Sequence, residues 1–178
     1  MKYGEIKEYD IANGPGVRLS LFVSGCTHHC KGCFNPMTWD FDYGMDYTQE
    51  TEDKIVELLG ESCYEGITLL GGEPMELVNQ KALLPLLRRI RTTYPHKDIW
   101  CFTGYLYDRD LLGRMAGTVA ETTELLSYID VLVDGEFKEE EKDITLLFKG
   151  SRNQRTIDVQ ASLKAHDVVL WNPDSMLS

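Results

Sequence analysis

The sequence predicts an α/β fold, an open partial (β/α) barrel with mostly parallel strands, and three observations predict it. Apolar runs of strand length alternate with amphipathic stretches of helical length, the order that parallel strands with right-handed helical crossovers produce. Each predicted strand closes on a glycine or polar segment, the usual strand-to-loop exit. A closed eight-stranded barrel normally needs about 250 residues, whereas the chain has 178. No internal repeat, linker or low-complexity segment divides it, so residues 1–178 read as one domain, with about 159–178 as an extension of open role.

Taken in order, VRLSLFVS (Val17 to Ser24) alternates and is rich in β-branched and aromatic residues, so it is the first predicted strand. Thr48 is an N-cap with Glu50, Glu52 and Asp53 in the first turn, Ile55, Val56, Leu58 and Leu59 as the buried stripe, and Gly60 as the stop. GITLL (Gly66 to Leu70) is a short buried strand running into Gly71-Gly72-Glu73-Pro74. Ala82 to Tyr94 is the second helix, ended by Pro95, and Pro85 is tolerable there only in the first turn, where its missing N–H costs nothing. DIWCFTG (Asp98 to Gly104) is a strand, part of Leu106 to Ser127 is helical, and VLVDG (Val131 to Gly135) and TLLFKG (Thr145 to Gly150) are two further strands. In parallel α/β folds the carboxyl ends of the strands share one edge, where such folds place their sites. The segments that leave these strands should therefore converge.

Composition narrows the function. With 43% hydrophobic residues the chain can bury a core without disulfides. The N-terminal MKYGEIKEYD lacks the apolar run of a signal peptide, and no apolar stretch is long enough to cross a bilayer, so a reducing cytoplasm is the expected compartment, with no membrane partner. A net charge of −11 argues against sequence-independent nucleic-acid binding, and Glu139-Glu140-Glu141 reads as a solvated face.

Three of the five cysteines lie within SGCTHHCKGCFNP (Ser24 to Pro36), spaced Cys26-x3-Cys30-x2-Cys33. An odd count with three clustered is a poor disulfide plan and points to a metal centre or catalysis. Thiolates favour zinc, copper(I) and iron–sulfur clusters. A closed zinc site would need His28 or His29 as fourth ligand, although both read better as exposed loop residues. A four-iron cluster would keep one iron without a protein ligand. The cysteines alone leave both readings open. Cys101 reads as a small buried hydrophobe in a strand, Cys63 has no assigned role, and Trp39 and Trp100 read as core or interface anchors.

The cysteine loop after one strand and GGEP after the next together resemble the radical S-adenosylmethionine superfamily. NGPGVR (Asn13 to Arg18), FVSGCTHHCKGCFNPMTW, DIWCFTGY, VLVDGEF and FKGSRNQRTID extend the likeness over nearly the whole chain, which is similar to the anaerobic ribonucleotide reductase activases, a glycyl-radical-activase family. The resemblance implies a [4Fe-4S] cluster on Cys26, Cys30 and Cys33. It also implies S-adenosylmethionine on the open iron, lined by Gly32, Cys33, Phe34, Gly71, Gly72, Glu73 and Pro74, with glycines admitting close approach and a carboxylate facing the ammonium. A side chain at Gly72 should then disturb the cofactor and spare the cluster. Reductive cleavage would yield a radical that takes hydrogen from a glycine of the anaerobic ribonucleoside-triphosphate reductase, and no protein base is needed. Arg18, Thr103 and Asp134 are secondary candidates. Flavodoxin or ferredoxin is the expected electron donor, and an acidic donor would need a basic patch, at Arg88, Arg89 and Arg91 or at Lys149, Arg152 and Arg155. Pyruvate formate-lyase activases share GPG-x-R, the cysteines and GGEP but are longer. A small-molecule radical enzyme, such as a carboxy-deazaguanine synthase, and a zinc-binding interaction module are the further alternatives.

Overall fold

In the computed structural model, which describes residues 1–174, one seven-stranded sheet carries the fold. Its strands are β1 (Lys2–Asp10), β2 (Val17–Val23), β3 (Met45–Asp46), β4 (Tyr64–Gly71), β5 (Asp98–Phe102), β6 (Val131–Asp134) and β7 (Arg155–Asp158), in the order β3-β1-β2-β4-β5-β6-β7. The pairs β2–β4, β4–β5 and β5–β6 are parallel; β1–β2, β1–β3 and β6–β7 are antiparallel. Helices α1 (Gln49–Leu59), α2 (Leu77–Thr93) and α3 (Ala120–Tyr128) make the crossovers, and α4 (Val159–Ala165) follows β7.

Period-2 alternation assigns each strand two faces. Leu19, Leu21 and Val23 of β2, Ile67 and Leu69 of β4, Ile99 and Cys101 of β5 and Leu132 of β6 join the core cluster that also contains Ile55 and Leu59 of α1 and Leu83, Leu86 and Ile90 of α2. Full burial of each such aliphatic side chain is worth about 1.5–3 kcal/mol. The intervening residues Phe22, Leu70, Phe102 and Val133 look the other way and line a cavity. The fold thus separates a packed helical side from a hollow side.

Local chemistry explains where the elements end. Thr48 caps α1, accepting from the Thr51 N–H at 3.3 Å, while Thr51 Oγ1 accepts from the Thr48 N–H at 3.1 Å. Helix α2 begins at Leu77, five residues before the expected start, because no side chain marks its N-cap; Asn79 donates instead to the Ser24 and Glu73 carbonyls. Pro85 is therefore inside the helix rather than in its first turn. It lies on the exposed side, as does Lys81, whose carbonyl loses its helical partner. TLLFKG is an irregular segment, not a strand: Phe148 adopts φ +56° and packs against Trp100 and Trp171. The β6 edge is paired by β7. Of the extension from residue 159, α4 packs against α3 and β7, and residues 175–178 lie outside the described part.

Candidate functional site

The carboxyl ends of β2, β4, β5 and β6 open onto one cavity of about 570 Å³. Cys26, Cys30 and Cys33 face it from the loop after β2, Gly71, Gly72 and Glu73 from the end of β4, Thr103 and Gly104 from the end of β5, and Gly135 from the end of β6. Phe34, Lys142, Lys149 and Gly150 complete the wall. Pro74, Gly32, Arg18 and Asp134 do not line it.

Backbone hydrogen bonds hold the cysteine loop in place. The Gly25 N–H donates to the Thr38 carbonyl at 2.7 Å, the Cys26 N–H to the Trp39 carbonyl at 3.2 Å, and the Glu73 N–H to the Gly25 carbonyl at 2.8 Å. Gly72 is glycine because an added Cβ would stand 2.7 Å from the Gly25 oxygen and 2.8 Å from the Thr38 oxygen. Gly32, just before Cys33, takes φ +77°. The Asn35 N–H reaches the Cys33 sulfur at 3.4 Å. Burial pushes the Cys26 thiol up to about 11 and raises Cys30 as well, so these thiols need a cationic centre to become thiolates.

Glu73 is 1% exposed and its carboxylate is densely hydrogen-bonded. Oε1 accepts from the Gly104 N–H at 2.7 Å, Oε2 accepts from the Met75 N–H at 2.8 Å, and the Thr103 hydroxyl lies within 3.0 Å of both oxygens. His28 adds a contact from the cysteine loop: its Nε2 is 2.8 Å from Glu73 Oε1 and its Nδ1 is 3.0 Å from Glu136 Oε1. His28 is therefore no exposed loop residue; its side chain is 9% exposed and lies edge-on to Tyr105. Burial works against its charge, but the bonds to Glu73 and then Glu136 outweigh it and raise its pKa to about 9. His29 is exposed and stacks on Trp39, with centroids 4.5 Å apart.

Two secondary candidates have internal employment. Arg18 is fully buried, with Nε donating to Thr68 Oγ1 at 2.7 Å, a second nitrogen to Asp98 at 2.6 Å, and its guanidinium over Trp100. It lies toward the amino ends of the strands and cannot dock a partner or cofactor. Asp134 is fully buried and accepts from Arg155 and from the Tyr107 N–H, so it fastens β6 to β7. Thr103 alone of the three reaches the cavity. The expected basic patches are largely spent: Arg88 pairs with Glu124, Arg89 with Glu52 and Asp53, Arg91 with Asp130, and Arg155 with Asp134 and Asp108.

The donor set fits an iron–sulfur cluster better than a closed zinc site. The imidazole that would complete a zinc tetrahedron has both ring nitrogens against carboxylates in His28 and lies flat on Trp39 in His29. Among the described residues no three His, Cys, Asp or Glu side chains gather at the spacing of a single ion. Three thiolates on three different irons do not require that convergence.

Comparisons agree. A family model described as a 4Fe-4S single cluster domain matches residues 12–157. Anaerobic ribonucleoside-triphosphate reductase-activating proteins are similar over most of their length. That of Vibrio cholerae is 46% identical over 160 residues, covering 86% of this chain and 96% of the relative. That of Escherichia coli K12 is 41% identical over 156 residues, with the same coverage. That of phage T4 is 35% identical over 167 residues, covering 94% of this chain and all of the relative.

Proposed function

The chain belongs to the family of anaerobic ribonucleoside-triphosphate reductase-activating proteins, and from that premise we propose that it activates such a reductase by generating a glycyl radical on it, using a [4Fe-4S] cluster and S-adenosylmethionine. The observation that carries the proposal is the single cavity in which three thiols face the Gly71–Glu73 edge. In this reading Cys26, Cys30 and Cys33 hold the cluster, and Cys33, Phe34, Gly71, Gly72 and Glu73 line the cofactor seat, with Gly32 and Pro74 adjoining them in the chain but not lining the cavity. When bound, the cluster supplies the one electron that cleaves S-adenosylmethionine reductively.

The rest is the work of this chain's own residues. Phe22, Leu70, Phe102 and Val133 give the cavity an apolar floor that excludes water. Thr103, Gly104, Met75 and His28 together engage the Glu73 carboxylate, which holds the Gly71-Gly72 backbone at close approach to an amino-acid ligand. Gln154 braces the far wall, accepting from the Gly150 and Ser151 N–H groups and donating to the Gly135 carbonyl.

The reading takes residues 1–178 as one domain and the sheet as an open partial barrel. Sequential order from β2 through β4 and β5 to β6, with each crossover helix packed on the next, supports this. Among the described residues no helix is long and apolar enough to cross a membrane. We place the protein in the cytoplasm, without a nucleic-acid partner in view of its charge of −11. Flavodoxin or ferredoxin would donate the electron, meeting Lys142 and Lys149 at the cavity and exposed Arg152. Anaerobic reconstitution tests the cluster assignment: about four irons and four sulfides per chain are expected. Stoichiometric zinc without iron would overturn it.

A further inference from the structure

We propose that His28 is a positioning residue that registers the cysteine loop on the cofactor seat by bridging Glu73 and Glu136; the inference rests on the seat reading above. The imidazole lies in the loop between Cys26 and Cys30 and lines the same cavity. On one side it reaches Glu73, which three donors, the Met75 and Gly104 N–H groups and the Thr103 hydroxyl, already fix to the ends of β4 and β5. On the other it reaches Glu136, at the start of the segment that covers the cysteine loop, where Phe137 packs on Phe34 at 5.1 Å.

Gly104 makes room for this arrangement. A Cβ there would stand 2.7 Å from the ring, so the β5 exit is shaped to the imidazole. Thr27 adds a parallel tie, donating from its N–H and hydroxyl to Glu76 at 2.9 and 2.7 Å. That tie is exposed, whereas the His28–Glu73 bond joins side chains only 9% and 1% exposed and is better shielded from water. His28 touches no reacting atom in this account. It sets how the thiols stand relative to the Gly71–Glu73 edge, and a cofactor that must meet both is sensitive to that register.

The two ring nitrogens allow a discriminating test. In His28→Gln the amide nitrogen takes the place of Nε2 and keeps the bond to Glu73; in His28→Asn it takes the place of Nδ1 and keeps only the contact with Glu136. The variants, with His28→Ala, are reconstituted anaerobically, assayed for iron, and titrated with S-adenosylmethionine by calorimetry. Iron content should stay at the wild-type level in all three. Affinity should fall roughly tenfold in His28→Ala and His28→Asn and remain within about threefold of wild type in His28→Gln. Equal affinities for His28→Gln and His28→Asn, wild-type affinity for His28→Ala, or loss of iron from the variants would overturn the inference alone. Absence of S-adenosylmethionine binding by the wild-type protein would remove the seat reading and this inference with it.

Discussion

Alanine in place of Cys26, Cys30 or Cys33 is expected to reduce iron after anaerobic reconstitution from about four per chain to below one, because two thiolates cannot retain a four-iron cluster. The neighbouring side chains offer no replacement. His28 is engaged by two carboxylates, His29 lies against Trp39, and Glu73 is saturated by its own chain. The other two cysteines are the internal controls. Cys63 is exposed, immediately before β4 and hence at the end of the sheet opposite the cavity. Cys101 is fully buried on the helical side of β5, so Cys101→Ala leaves a small void costing about 1 kcal/mol and should not change the iron count. Iron retained by a Cys30→Ala protein, or lost from Cys101→Ala, would contradict the assignment.

Gly72→Ala is the second large effect, and the structure changes what it should do. From sequence, a side chain at this glycine would be expected to touch only the bound cofactor. In the fold its Cβ meets the Gly25 and Thr38 carbonyl oxygens at 2.7 and 2.8 Å. Both are backbone atoms, and no rotamer can relieve the clash. Gly25 immediately precedes Cys26, so relief must come by moving the cysteine loop. Overpacking of this kind costs typically 1–3 kcal/mol. At about 2–4 °C per kcal/mol for a chain of this size, the melting temperature should fall by roughly 5 °C. Iron content should drop along with S-adenosylmethionine binding. A Gly72→Ala protein with full iron and wild-type melting would show that the loop does not rest on this glycine.

Features written in local chemistry were legible in the sequence. Helix α1 was readable from Thr48 to Gly60 because its cap and its stop lie within the helix's own segment. The parallel strands were readable because burial on both faces makes continuous apolar runs. Strand β1 was missed: KYGEIKEYD is mostly half-exposed or exposed and is a strand only because β2 and β3 pair with it. The apolar TLLFKG segment reads as the last strand in place of β7, but its Phe148, half-buried, packs on Trp100 at the hollow side of the sheet rather than joining a ladder. At the site, topology sufficed to bring the strand exits together. It could not reveal His28, whose partners are 45 and 108 residues away, nor that Arg18 and Arg155 are consumed by Asp98 and Asp134. The FKGSRNQR stretch did carry a signal, and Gln154 bracing Gly135 and Gly150 is the structural reason for part of it.

The central claim is that the chain activates an anaerobic ribonucleoside-triphosphate reductase by placing a radical on it. The most direct test mixes the reconstituted, reduced protein with S-adenosylmethionine and the reductase under anaerobic conditions, and records the electron paramagnetic resonance spectrum of the mixture. A glycyl-radical doublet that requires all three components, and is absent with a Cys30→Ala protein, is the predicted result. A doublet that forms only when pyruvate formate-lyase replaces the reductase, or no doublet from a protein carrying a full cluster and binding S-adenosylmethionine, would contradict it.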